Sequence, residues 1–279
     1  MRFVVVAGRL AVEESASYAR VVPDDLGDDP LRNALASGMD LHAIAESAAA
    51  RGERIDMPGE LDPPLRRPGK LMAIGLNYRD HCRESGTPVP ERPVEFTKHP
   101  SAITGSGHPI PLDADVSSQV DYEIELAVVI GRRCTDLTEA DALSAVAGYT
   151  IANDVSARDV QAAEGQWVRA KSFDGFCPLG PALVTADEVP DPQALGLRTF
   201  VSGELLQDSN TSEMVFTVAR LLAHVSQGTT LEPGDVLLTG TPFGVGHFRQ
   251  PTRYLRPGDT VRCEIDGLGV LVNPVVARG

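Results

Sequence analysis

The chain has 279 residues, 42% of them hydrophobic, and carries 39 acidic against 25 basic side chains for a net charge of −14. That length can bury a sizeable core in one or two domains, and the acidity argues against nucleic acid or an anionic membrane surface as a partner, since both need clustered basic residues. No apolar run approaches the roughly 20 residues of a membrane span, and Cys82, Cys134, Cys177 and Cys263 stand too far apart for a zinc knot. Four reduced thiols and an N-terminal run too short for a signal peptide lead to the expectation of a cytoplasmic protein without a membrane partner.

Residues 1–65 read as a small N-terminal α/β domain ending in a Pro-rich linker. Strands are expected at Phe3 to Val6 and Tyr18 to Val22, and helices at Leu31 to Ser37 and Leu41 to Arg51, the second stopped by Gly52. The run Met57-Pro58-Gly59-Glu60-Leu61-Asp62-Pro63-Pro64 resists both helix and sheet and serves as the linker. Residues 66–279 then form a second domain of short apolar runs separated by Gly, Pro and Asp. Its expected strands are Leu71–Gly75, Val94–Lys98, Tyr122–Ile130, Gly148–Ala152, Ala182–Thr185, Leu197–Val201, Val236–Thr239, Val261–Ile265 and Val270–Val275. Helices are expected over Thr138–Ala147, with a capping pattern at its start, and over Ser212–Ser226, where Val215, Val218, Leu222 and Val225 recur at helical spacing. The class is therefore α+β and mainly β: a sandwich, roll or barrel with helices at its rim.

Residues with chemistry gather in five stretches. In Asp121-Tyr122-Glu123-Ile124-Glu125 the strand alternation points Glu123 and Glu125 the same way, about 7 Å apart. Two such carboxylates call for a metal ion, an Arg or Lys, or solvent between them, and a solvated strand edge is the plain alternative. Asn77 is placed to cap a short helix on which His81 and Glu84 meet at i and i+3, a pairing that suits a general base and is also common on surfaces. Asp154 stands at a strand end; if a helix starts there, Asp154, Arg158 and Gln161 share its face, although Asp154 is equally suited to capping that helix. Lys171, between apolar and aromatic residues, needs an anionic partner, either a substrate oxyanion or a structural carboxylate. Last, Leu237 to Gly246 is a Gly-rich turn whose backbone N–H groups suit a carboxylate or phosphate, without the spacing of a Walker or dinucleotide loop. Glu123, Glu125 and Asp154 form an all-oxygen set, which suits Mg²⁺ foremost and also Mn²⁺ or Ca²⁺.

Over Leu71 to Val275 the sequence resembles the fumarylacetoacetate hydrolase family. The motifs are Gly75-Leu76-Asn77-Tyr78 with His81 and Glu84, Phe96-Thr97-Lys98, Asp121 to Leu126, Asn153 to Asp159 with Gln161, Ala170-Lys171-Ser172-Phe173-Asp174, and Gly240-Thr241-Pro242 followed by Gly244-Val245-Gly246. The resemblance implies a mixed β-roll, usually dimeric, so a homodimer is expected. It implies Glu123, Glu125 and Asp154 as metal ligands and His81 with Glu84 as the water-activating pair. Lys171 and Gln161 would hold the reacting oxygen, Gly240 and Thr241 the substrate carboxylate, and Arg158 is a further substrate contact. The expected reaction is metal-dependent hydrolysis of a C–C bond in a small anionic acylpyruvate or β-diketo acid. On the same site, 2-hydroxyhepta-2,4-diene-1,7-dioate isomerisation or decarboxylation of an oxaloacetate-type acid are the alternatives. A non-catalytic acid-binding module with a structural cation is the alternative from another class. Phe243, where many relatives carry a smaller residue, is expected to narrow the pocket.

Overall fold

The apolar run after Glu123 forms the strand Ile124–Ile130, and every one of its residues is buried. Its two faces feed different cores. Ile124, Leu126, Val128 and Ile130 pack into one cluster, whereas Ala127 and Val129 pack into another on the opposite face. A strand covered on both sides reads as a continuous apolar run, which is why the sequence here is so uniformly hydrophobic.

The computed structural model describes residues 1–278. Ile124–Ile130 lies within an 11-stranded sheet. In sheet order it runs Arg54–Asp56, Tyr18–Val21, Arg9–Ser15, Arg2–Val6, Cys177–Thr185, Val146–Asn153, Ile124–Ile130, Val236–Leu238, Leu71–Gly75 and Val94–Thr97, with Ile103–Thr104 pairing to Cys177–Thr185 from the side. The N-terminal strands thus extend the same sheet that carries Glu125, through the antiparallel pair Arg2–Val6 and Cys177–Thr185. A five-stranded sheet, ordered Glu204–Asn210, Gly196–Val201, Thr260–Ile265, Gly269–Ala277 and Ile110–Leu112, packs Leu197, Val261, Cys263 and Leu271 onto one face of the large sheet. The helices Pro30–Ala36 and Leu41–Arg51 cover the other face with Leu31, Ala34, Ile44 and Ala48. The fold is α+β and mainly β, with mixed sheets. No helix among the described residues is long and apolar enough to cross a membrane.

Most expected strands form within a residue or two, and the departures have local causes. Tyr122–Ile130 is not one strand. Val120–Asp121 pairs with Ser156–Ala157, the chain then leaves the ladder at Tyr122 and Glu123, and pairing resumes at Ile124. The break arises because the Glu123 N–H donates to the Asn153 side chain (2.9 Å) rather than to a strand neighbour. The helix expected over Ser212–Ser226 is a 3₁₀ turn at Thr211–Glu213 followed by a helix at Val218–Val225, capped by the Thr217 hydroxyl. Between them the N–H groups of Val215 and Phe216 turn aside to the carbonyl and side chain of Asn77, at 2.7 and 2.9 Å. Thr138–Ala147 is helical only over Glu139–Ala142, and after a 3₁₀ turn Val146 already begins the next strand. The strands Arg9–Ser15 and Glu204–Asn210, both half exposed and polar, carry too little alternation to stand out in the sequence.

Asn77 does not cap the helix Arg79–Ser85; Tyr78 holds the cap position and contributes no side-chain bond. The Asn77 amide is instead fully buried, donating to Phe216 O (3.1 Å) and Thr239 O (2.8 Å). It therefore ties the helix carrying His81 to the Gly-rich loop. Asn77→Ala strands two buried carbonyls and one N–H, and is expected to cost about 2–4 kcal/mol of stability. Urea titration should show a lower midpoint with an unchanged slope, whereas Arg83→Ala, which breaks an exposed ion pair with Glu213, should shift it by under about 0.5 kcal/mol.

Candidate active site

Glu123, Glu125 and Asp154 converge although they come from three different backbone settings. Glu123 lies in the break before Ile124–Ile130, Glu125 within that strand, and Asp154 just past the end of Val146–Asn153. The antiparallel register sets Ile124 opposite Asn153, and Asp154 N–H donates to Glu123 O at 2.8 Å, so the strand end and the strand break are stitched together. One carboxylate oxygen from each residue lies within 4.8 Å of the others, and all three side chains are buried. The solvated-edge alternative is thereby excluded: Glu123 is 5% exposed, Glu125 1% and Asp154 fully buried.

Three cations hold this cluster. Lys171 is buried among the carboxylates, donating to Glu123 Oε2 (2.7 Å), Asp154 Oδ2 (2.6 Å) and Ser156 Oγ (2.7 Å). The expected semi-buried lysine is thus fully enclosed, and all three of its N–H donors already have protein acceptors. Lys98, also buried, bonds the other Asp154 oxygen at 2.5 Å and the Phe176 carbonyl at 2.9 Å. Arg158 reaches Glu123 (2.5 Å) and Asp121 (2.9 Å). Burial pushes the Glu123 carboxyl up, but Arg158 and Lys171 more than offset this and hold it well below the ordinary carboxylate range. Burial alone would drive Lys171 down, yet Asp154 and Glu123 raise it, so it stays charged.

The helix carrying Arg158 runs from Arg158 to Glu164, so Asp154 is neither on it nor its cap. Arg158 and Gln161 do share a face, and the Gln161 carbonyl accepts from Arg158 Nη1 at 3.2 Å, which leaves the amide NH₂ of Gln161 free to donate. On the facing helix His81 Nδ1 lies 3.1 Å from Glu84 Oε2, as the i, i+3 spacing requires. With Nδ1–H directed at that carboxylate, Nε2 carries the lone pair.

The Gly-rich loop is indeed a nest for carboxylates, but for this chain's own. Gly240 N–H donates to Glu125 Oε2 (2.6 Å), Gly244 N–H to Glu84 Oε1 (2.8 Å), and the N–H groups of Gly246 and His247 to the two oxygens of Asp121 (2.7 and 3.0 Å). Gly240 is therefore a positioning group for Glu125, and of the pair expected to hold a substrate carboxylate only Thr241 lines the cavity. Gly240 adopts φ +96°, and a Cβ there would lie 2.8 Å from that of Asn77, so glycine is required by both conformation and space.

These groups face one cavity of about 300 Å³. His81, Glu123, Glu125, Asp154, Arg158, Gln161, Lys171 and Thr241 supply its polar wall, and Ile74, Leu76, Phe96, Trp167 and Phe248 its apolar one. Phe243 is 40% exposed and is not among the lining residues; from this part of the chain it is Phe248 that lines the cavity, its ring centre 5.8 Å from that of His81. Trp167 lies across Gly75, where a Cβ would come within 2.3 Å of the indole. Sequence reasoning gave no role to Lys98, Asp121, Gln207 or His247. Lys98 and Asp121 stood inside quoted motifs, so they were within reach. Gln207 was not: it lies in a polar strand, and only folding brings its side chain to Ile124 N, Thr199, Thr241 and the Pro242 carbonyl.

The donor set fits a hard divalent cation. All three ligand atoms are carboxylate oxygens, and Glu125, unlike Glu123 and Asp154, has no Lys or Arg within ion-pair distance among the described residues. Asp121, Glu123, Glu125 and Asp154 against Lys98, Arg158 and Lys171 leave one net negative charge. That count takes every acid as ionised; the shortfall is met at Glu125, whose carboxyl is raised well above its ordinary range by burial and by Asp154 and Glu123, which favours its protonated form until a cation binds.

Residues 70–276 match the family model for the fumarylacetoacetate hydrolase C-terminal region. Over 215 residues the chain is 53% identical to the mitochondrial oxaloacetate tautomerase fahd2 of Xenopus laevis, covering 76% of this chain and 67% of that protein. Among solved structures it superposes on a fumarylacetoacetate hydrolase from psychrophilic Exiguobacterium antarcticum with a TM-score of 0.89 at 41% identity. It superposes on a maleylpyruvate hydrolase from Sphingobium sp. SYK-6, solved with manganese(II) and pyruvate, with a TM-score of 0.84 at 30% identity. Both pairs cover 100% of each chain.

A carboxyl whose pKa is raised on folding contributes stability that is present below its unfolded value and lost as pH rises through its folded value. Chelator-treated protein is therefore expected to lose melting temperature with rising pH relative to Glu125→Gln, and added Mg²⁺ or Mn²⁺ should recover more at the higher pH. Parallel melting curves for the two proteins across the whole pH range would show that Glu125 is not the titrating group.

Proposed function

This chain belongs to the fumarylacetoacetate hydrolase family, and from that premise we propose that it is a divalent-metal-dependent enzyme moving a proton beside the carbonyl of a small 2-oxo acid, with keto–enol tautomerisation of an oxaloacetate-like acid as its reaction. The observation that carries this reading is the His81–Glu84 pair facing the buried Glu123, Glu125 and Asp154 across one cavity. Glu123, Glu125 and Asp154 would hold the cation, Mg²⁺ or Mn²⁺, and when bound it supplies the positive charge that makes the enolate form of a 2-oxo acid accessible near neutral pH.

The remaining work falls to side chains. His81 Nε2 takes the proton from the carbon next to the carbonyl and returns it to the oxygen, while Glu84, held by Gly244 N–H, fixes the ring and stabilises its charged form. The free amide N–H of Gln161 and the Thr241 hydroxyl bind substrate oxygens. Lys171 acts through its field, since its own donors are taken by Glu123, Asp154 and Ser156. Phe96, Trp167 and Phe248 keep water from the reacting carbon.

A second reading is hydrolysis of the C–C bond of an acylpyruvate, in which His81 takes its proton from a water instead. It is favoured by the same dyad and by the likeness to the two hydrolase structures. The isomerase reading shares the proton transfer between carbon and oxygen, and the decarboxylase reading shares only the enolate, reached there by loss of CO₂ and then protonated at carbon. A homodimer belongs to the proposal as well, supported by the exposed Leu205 and Phe243 on adjoining backbone segments beside the site.

Incubating the protein with Mg²⁺ and oxaloacetate, acetylpyruvate, fumarylpyruvate or the dienedioate, and following tautomer ratio and products, separates the readings. Faster oxaloacetate tautomerisation is expected, lowered about 10²- to 10⁴-fold in kcat by His81→Asn with cation affinity retained. Glu123→Gln should lose both activity and cation binding. Cleavage of acetylpyruvate without any effect on oxaloacetate would put the second reading first, and an undiminished His81→Asn would remove the proposed proton carrier.

A further inference from the structure

One imidazole on the cavity wall has no part in the chemistry above. His247 follows Gly246 in the Gly-rich loop and lines the same cavity as His81, the carboxylates and Thr241. We propose that His247 anchors the far end of the substrate, so that the site selects 2-oxo acids bearing a second carboxylate over those with an uncharged chain. This deepens the proposed function and rests on its reading of the cavity as a 2-oxo acid site.

Three observations lead there. First, the other cationic groups on this wall already have partners. Arg158 is bonded to Asp121, Glu123 and Gln161, Lys171 spends its donors on Glu123, Asp154 and Ser156, and His81 faces Glu84. His247 has no carboxylate at ion-pair distance from its ring among the described residues. It is thus the lining group able to offer positive charge to a second anionic group.

Second, the ring is held in one orientation. Nδ1 lies 2.8 Å from the Tyr254 hydroxyl, which donates in turn to Gln119 Oε1 at 3.3 Å. Because the Gln119 oxygen only accepts, the Tyr254 oxygen receives Nδ1–H; Nε2 has no hydrogen-bond partner among the described residues, and in the imidazolium form its N–H is the donor left for a carboxylate. Phe248 packs edge-on against the ring at 4.8 Å.

Third, the backbone beneath it is clamped. The N–H groups of Gly246 and His247 grip Asp121, which also binds Arg158, two residues before Glu123. The anchor and the carboxylate cluster are therefore referred to the same buried aspartate. Such a fixed spacing selects for ligand length as well as charge.

The test uses two inert acids matched in length, 2-oxoglutarate and 2-oxopentanoate, titrated calorimetrically into the full chain with Mn²⁺. The native protein is expected to prefer the dicarboxylate by about tenfold or more, the scale of one hydrogen bond to a charged group. His247→Phe should bring the ratio close to one, His247→Lys should restore a preference, and Tyr254→Phe, which loosens the ring, should reduce it in part. Circular dichroism of each variant checks the fold. Equal affinities in the native protein, or a preference surviving in His247→Phe, would overturn the role of His247. A preference that tracks position 247 in a protein that tautomerises neither oxaloacetate nor any panel acid would leave His247 standing and overturn the proposed reaction instead.

Discussion

Everything in this site depends on a set of charges that the fold has taken out of water. An isolated buried ion costs several kcal/mol even after the protein relaxes, so a cluster of four carboxylates survives only if cations and N–H donors are placed among them. Lys171 and Lys98 bracket Asp154, Arg158 and Lys171 bracket Glu123, and Gly240 N–H is directed at Glu125. The compensation is one positive charge short, and the deficit is located at Glu125. A divalent cation bound there would more than fill that deficit and would leave a positive surplus toward an anionic ligand.

The Gly-rich loop is the mechanical counterpart of that electrostatic arrangement. A single stretch from Gly240 to His247 directs backbone N–H groups at Glu125, Glu84 and Asp121, and so orients a cluster carboxylate, the carboxylate behind His81 and the anchor of Arg158. Gln207 and Asn77 hold this loop from two sides, Gln207 from the five-stranded sheet and Asn77 from the turn leading into the helix of His81. Such support is what keeps reacting groups within fractions of an ångström of a productive arrangement. It also explains why the loop contains glycines at positive φ: close backbone approach and unusual turns are needed where several N–H groups converge.

Shared family membership with relatives named for tautomerisation and hydrolysis is consistent with this economy. A buried oxygen cluster and one imidazole–carboxylate pair serve any reaction that passes through the enolate of a 2-oxo acid. On the proposed reading, members would differ in the other side chains that line the cavity, here Phe248, Trp167, Phe96 and His247. Specificity of this kind is a property of a few lining side chains and not of the fold.

Features governed by local rules were legible in the order of the residues. Period-two runs marked most strands, the i, i+3 spacing paired His81 with Glu84, and Asp154 stood at a strand end, whereas Glu123 joins Glu125 from a break in the strand rather than by alternation. That order did not determine where Lys171's donors point, that the loop N–H groups are filled by the chain's own acids, or that Phe248 and not Phe243 enters the cavity. Nor did it reveal Asn77 as a buried clip, Gln207 as a bridge between sheets, or His247 as an imidazole on the cavity wall held by Tyr254 and without a carboxylate partner among the described residues. Most of these depend on partners remote in the chain, such as Glu123 for Lys171, 48 residues away, and Glu84 for Gly244, 160 residues away. Periodicity reports what a residue's immediate backbone does. Which donor meets which acceptor inside a sealed core is decided only when the sheets close over them.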